Sequence, residues 1–169
     1  MGSRRVLFSP VGSSDPVCND FDGPMLHIVR HYGPQTVVLF MTEEIARYHR
    51  KDDRYAKAIA HVAPDTRVIV EESSIGEAHD FDAYMSRFGE ILKRMSEDYP
   101  DSEILVNVTS GTPQMQSTLC VLAAAGAVPI KPVQVASPNE RSNYGRADYD
   151  VEAALAENCD DPAHGLQPK

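Results

Sequence analysis

Cysteine, basic residues and long apolar runs are all scarce in this 169-residue chain, and each shortage excludes something. The three cysteines, Cys18, Cys120 and Cys159, are odd in number and widely spaced. They give neither a disulfide framework nor the close pairs of a zinc site. All three are read as reduced thiols, with Cys120 expected in the core, and no metal or other cofactor is expected. No stretch approaches the roughly 20 apolar residues that cross a bilayer, and the basic start runs straight into a short apolar segment. The chain is therefore expected to be soluble, free of membrane contact and cytoplasmic. Lysine and arginine total 16 against 25 acidic residues, a net charge of −9, which argues against a grip on long nucleic acid. The imbalance is uneven. Residues 148–169 hold six acidic residues against Lys169, leaving −4 for residues 1–147, so a small phosphate ligand held by amides and a few arginines stays compatible with the charge.

What the chain does have is alternation. Residues 6–8, 37–40, 68–70, 104–108 and 133–136 are short runs rich in valine, isoleucine and leucine, and they read as strands buried on both faces. Between them Met25, Ile28, Val29 and Tyr32 mark a helix stopped by Gly33 and Pro34. A second helix is expected from Thr42, with a charged middle at residues 50–54 that breaks or exposes it. Phe81, Tyr84, Met85, Phe88, Ile91, Leu92 and Met95 repeat at three and four residues after the N-cap candidate Asp80 and before Pro100. A last long helix is expected over residues 115–125, with Pro113 in its first turn and Gly126 at its end. Strand and helix alternating throughout predict an α/β, Rossmann-like domain: a mostly parallel sheet of five to six strands, helices on both faces, and a ligand beyond the carboxyl ends of the strands. One domain is expected over residues 1–147, then an acidic helix or tail over 148–169.

Two strand-to-helix junctions have the composition of a binding edge: residues 9–16, SPVGSSDP, and residues 107–114, NVTSGTPQ. Each offers a glycine for close approach and several hydroxyls. In the second, the helix begins directly after Thr112, so its free amides face whatever sits above the strand. The same residues serve equally as a plain N-cap at Thr112 and an ordinary turn at Ser13, Ser14 and Asp15. Neither junction matches a phosphate-binding lysine loop, a GxGxxG turn or a GxSxG elbow, which removes the commonest nucleotide and hydrolase readings. On the first helix His27, Arg30 and His31 form either a solvated face or a contact to a phosphate or partner. Asn139, Arg141 and Arg146 follow the last strand, where they overhang the same edge or form a solvated loop.

Taken in order, LFSPVGSSDP, DGPMLHIVRHYGP, VVLFMTEE, NVTSGTPQM and VQVASPNER resemble the CARF domain, the CRISPR-associated Rossmann fold, and in particular the sensor half of the accessory HEPN ribonuclease of type III-A CRISPR systems. The resemblance spans roughly residues 5–145. It implies a homodimer in antiviral defence whose two copies build one site for a cyclic oligoadenylate second messenger, an arrangement that suits an isologous two-fold. Cyclic hexa-adenylate is expected ahead of cyclic tetra-adenylate. The implied ligand contacts are Gly12, Ser13, Ser14, Asp15, Thr42, Thr109, Ser110, Gly111, Thr112, Gln114, Asn139 and Arg141.

The resemblance further implies ring-nuclease activity without metal: a ribose 2'-hydroxyl attacks the adjacent phosphate while the protein aligns it and stabilises charge. Thr112 and Ser14 fit charge stabilisation. Asp15 fits either orientation or deprotonation of the hydroxyl, or fixing of its own loop. The alternative is a sensor that binds the ring without cutting it and activates an attached ribonuclease, and a third reading is an unrelated small-molecule binder on a Rossmann-like fold. The HEPN domain, with its R-x(4 to 6)-H ribonuclease motif, is absent here. The one formal match, Arg54 to His61, falls inside the Rossmann part and is read as chance spacing.

Overall fold

The sheet is ordered by apolarity, with the most apolar strands at its centre. In the computed structural model, which describes residues 2–18, 21–76 and 80–135, five parallel strands run in the order β5-β4-β1-β6-β7. They are β1 (Arg4–Pro10), β4 (Thr36–Met41), β5 (Arg67–Glu72), β6 (Ser102–Asn107) and β7 (Ile130–Val133). Every residue of β4 is buried. Its odd-numbered side chains Val37, Leu39 and Met41 join Leu7 and Leu105 on one face, and Val38 and Phe40 join Val6, Phe8, Ile104 and Val106 on the other. That two-sided burial is why these runs lack clean alternation. The expectation fails at both edges, where β5 is half-buried and β7 mostly exposed. An edge strand has a neighbour on one side only, and helices cover it less completely.

The first face is covered by α1 (Pro24–Tyr32), α2 (Glu43–Asp52) and α3 (Arg54–Val62), and the second by α4 (Phe81–Asp98) and α5 (Pro113–Ala125). Phe88 of α4 meets Phe8 at 5.1 Å and Phe40 at 4.8 Å between ring centroids, both edge-on, each worth about 0.5–1.5 kcal/mol beyond area burial. The helix signals hold as expected: Gly33 and Gly126 close α1 and α5 in left-handed conformations, and Asp80 caps α4 by accepting from the Ala83 amide.

Two expectations change. Strand and helix do not alternate throughout, because the short antiparallel pair β2 (Val17–Cys18) and β3 (Phe21–Asp22) lies between β1 and α1, and α2 and α3 follow one another directly. The break falls in the charged stretch at Asp53, φ +58, beside the buried pair of Arg54 with Asp52. Cys120, expected in the core, is exposed, because α5 turns Met115, Thr118 and Leu119 inward instead. Nor does Arg54 to His61 form a ribonuclease site: Arg54 is 2% exposed and consumed by Asp52.

Candidate functional site

β1 and β6 are neighbours in register, Phe8 beside Val106, so the segments that follow them emerge side by side at the carboxyl edge of the sheet. They touch through glycine. A Cβ on Gly12 would stand 2.8 Å from the Gly111 nitrogen, and one on Gly111, at φ +91, would stand 2.9 Å from both Met115 Sδ and Pro10 Cβ. Only glycine allows this approach. Between the two segments lies a groove of about 190 Å³ lined by residues 12–14, residues 109–111 and Pro24. Its walls are hydroxyl and backbone, and none of the lining residues is charged.

The walls are held from beneath by Asn107, fully buried at the end of β6. Its Nδ2 donates to Ser9 Oγ and Ser110 Oγ, both at 2.9 Å. Its Oδ1 accepts from the amides of Thr109 at 2.9 Å and Ser110 at 3.2 Å. From the other side Gln116, in the second turn of α5, donates Nε2 to the carbonyls of Thr109 at 2.9 Å and Gly111 at 3.2 Å. Thr109 Oγ1 accepts from the Val135 amide, tying in the end of β7. Neither Asn107 nor Gln116 stood among the residues expected to matter. An asparagine ending a buried strand, where nothing else can satisfy its amide, was the available signal for the first. Gln116 had none, since a glutamine on a helix carries no positional information until the loop is folded back on it.

Asp15 is 1% exposed. Oδ2 accepts from the Gly12 amide and Oδ1 from the Met25 amide, both at 3.0 Å. Burial pushes its pKa above the usual carboxylate range, opposed by the bonds from Gly12, Met25 and Ser110. Of its two expected roles the geometry has the structural one: Asp15 binds its own loop to the start of α1 and is not among the groove-lining residues. Ser110 lines the groove, and its Oγ accepts from Asn107 Nδ2.

Thr112 caps α5, accepting from the Met115 amide at 3.3 Å, and its hydroxyl proton stays available to a ligand. Gln114 follows at the second helical position, its Oε1 buried without a hydrogen-bond partner. Ser13 is exposed and Ser14 half-buried at the mouth. Thr42, Thr112 and Gln114 are not among the groove-lining residues, and Thr42 caps α2 by accepting from the Ile45 amide. Asn139, Arg141 and Arg146 lie outside the described residues. On α1 Arg30 is turned to Asp22, Nε to Oδ2 at 2.5 Å, and His27 and His31 stack at 4.4 Å. Among the described residues no cluster of three or more metal-ligating side chains exists, and no helix is long and apolar enough to cross a membrane. The chemistry on offer is anion binding by amides and hydroxyls at a helix N-terminus.

Comparison with known proteins identifies the family of the chain. Residues 65–167 match the family described as the Cas_Csm6 CARF domain. The chain is 44% identical to the CRISPR system endoribonuclease Csm6 of Mycobacterium tuberculosis, over 79% of this chain and 32% of that protein. It is 38% identical to the protein of the same name from Enterococcus italicus, over 94% and 40%. The chain thus spans about a third to two-fifths of these relatives. The structure of Enterococcus italicus Csm6 bound to cyclic hexa-2'-fluoro-hexa-dAMP superposes with a TM-score of 0.73 at 41% identity, covering 80% of this chain and 34% of that one. Can2 from Sulfobacillus thermosulfidooxidans in complex with cyclic tetra-adenylate has a TM-score of 0.54 at 18% identity, over 79% and 32%, and shares the fold.

Proposed function

We propose, from the premise that this chain belongs to the Csm6 CARF domain family, that it is a receptor for a cyclic oligoadenylate second messenger of type III CRISPR defence. One observation carries the reading: the loops after β1 and β6 meet, Gly12 on Gly111, in an uncharged groove of amides and hydroxyls beside the start of α5. Phosphates suit such a wall because helix-terminal amides supply partial positive charge without a side chain. At about 190 Å³ the groove is smaller than the roughly 300–1,000 Å³ of ordinary small-molecule sites. It therefore takes one part of a ring, and a second copy across a two-fold takes the rest. Cyclic hexa-adenylate is the proposed ring ahead of cyclic tetra-adenylate, in keeping with the ligand of the Enterococcus italicus relative. Residues 1–147 form the receptor, residues 148–169 an acidic tail, and a HEPN ribonuclease domain in the longer family members is its partner. The site of action is the cytoplasm.

The proposal extends to slow cleavage of the ring. A ribose 2'-oxygen attacks the adjacent phosphorus, the bond to the 5'-oxygen breaks, and a 2',3'-cyclic phosphate and a 5'-hydroxyl result. In this reading the Thr112 hydroxyl, the amides of Gly111 and Thr112, and Ser14 stabilise charge on the phosphate oxygens. A specific observation favours a second reading, binding without cleavage: Asp15, the acidic residue of the first loop, is buried and occupied, which leaves no carboxylate among the groove-lining residues to take the 2'-proton. Calorimetric titration with each ring, followed by product analysis in EDTA, tests both. One ring per two chains is expected, with linear products on long incubation. An intact ring would retain the receptor and remove the enzyme.

A further inference from the structure

The loop after β6 has a sorted backbone. In a trans peptide the C=O and N–H point in opposite directions, so fixing one carbonyl aims the amide that follows it. Gln116 Nε2 holds the Thr109 carbonyl, and the Ser110 amide on the far side of that peptide goes to Asn107 Oδ1. The same Nε2 holds the Gly111 carbonyl, and the amide on the far side of that peptide belongs to Thr112. The Thr112 amide forms no hydrogen bond among the described residues; it follows the groove-lining Gly111 and opens α5. Helical side chains lean toward the N-terminus, which is how a residue in the second turn reaches back over its own cap. Two carboxamides thus satisfy inward groups of the loop between them, and the Thr112 and Gly111 amides are left without a partner among the described residues.

We propose that Gln116 is a positioning residue: by holding the Thr109 and Gly111 carbonyls with one nitrogen it aims the Thr112 N–H at the ligand's phosphate. The inference rests on the receptor reading above, and its test separates the two. In the free chain the Gln116 side-chain NH2 protons, observed by NMR, should exchange slowly with water, because each is bonded. Fast exchange would overturn the positioning role whatever the ligand proves to be. On titration with cyclic hexa-adenylate the Thr112 amide should move strongly downfield. Gln116→Met keeps shape and loses both donors, and should weaken ring binding roughly tenfold or more. Gln116→Glu, an isostere with acceptors facing two carbonyls, should weaken it further. A merely structural role would lower the melting temperature of the free variants and leave the ring affinity and the Thr112 shift in place, and that result overturns the inference. Protected Gln116 protons in a chain that binds neither ring would instead remove the receptor reading and leave the clamp standing.

Discussion

Substituting Gly12 with alanine tests whether contact between the two loops makes the site. The added Cβ would sit 2.8 Å from the Gly111 nitrogen and 3.6 Å from the α-carbons of Ser110 and Gly111. Uncompressed contacts between such atoms lie near 3.5 Å, so the loops must part by about 0.7 Å. Neither gives easily: Asp15 holds the Gly12 amide and Asn107 holds Ser110. Overpacking of this kind costs about 1–3 kcal/mol, and at a surface groove the lower end applies, a fall in Tm of about 2–4 °C in a chain of this size. Ring affinity should suffer more, about tenfold or beyond, since the donors on the two walls no longer meet one phosphate together. Gly33→Ala is the control. Gly33 sits at φ +55 with open space around it, so alanine there costs about 1 kcal/mol of backbone strain and leaves the groove alone. Melts of the free proteins and calorimetric titration with cyclic hexa-adenylate give both quantities. A Gly12→Ala chain that binds as tightly as the parent, or a Gly33→Ala chain that loses as much, would refute the reasoning.

Thr112→Ala removes the cap of α5 and should cost about 1 kcal/mol of stability, read as a Tm loss of about 2–4 °C. If the ring is cut, turnover should fall by a larger factor than binding does, as end-point product assays will show. Asp15→Asn tests the buried carboxyl through pH: its folded pKa is raised by burial, so the unfolded chain releases its proton first and the parent loses stability as pH climbs from about 4 through the raised value. The Tm of the parent minus that of Asp15→Asn should therefore shrink as pH rises in this window, and a difference that grows would contradict the burial account. Asp52→Ala strands Arg54, 2% exposed, and should cost about 3–5 kcal/mol in denaturant melts, with much of it recovered when Arg54→Met is added.

How far the sequence disclosed this varies with the kind of information each feature needs. The central strands and the caps at Gly33, Asp80, Thr112 and Gly126 were legible because their determinants are local: apolar runs, a side chain that accepts an amide, a glycine that turns left-handed. The extra hairpin was harder to read, and at residues 50–54 the charge alone left open whether the helix would break or only be exposed. β2 and β3 are two residues each, too short to show a period, and the break at Asp53 sits beside a buried ion pair that no spacing announces. Cys120 was misplaced because α5 is apolar on more than one side, so composition alone did not say which face turns inward. At the site the two loops were legible and the division of labour within them was not. Asp15 looks like a ligand contact in sequence but fixes its own loop, because burial and long-range partners such as Gly12 with Gly111 and Asn107 with Ser9 exist only once β1 and β6 lie side by side.

The most direct test of the receptor reading is the melting temperature of the purified chain with and without cyclic hexa-adenylate and cyclic tetra-adenylate. A ring at about 100 times its Kd stabilises by roughly 2.7 kcal/mol, which for a chain of this size is an upward shift of about 5–11 °C. The account predicts that shift with the six-membered ring and a smaller one with the four-membered ring at equal concentration. A melting temperature that neither ring moves, up to millimolar ligand, would contradict it.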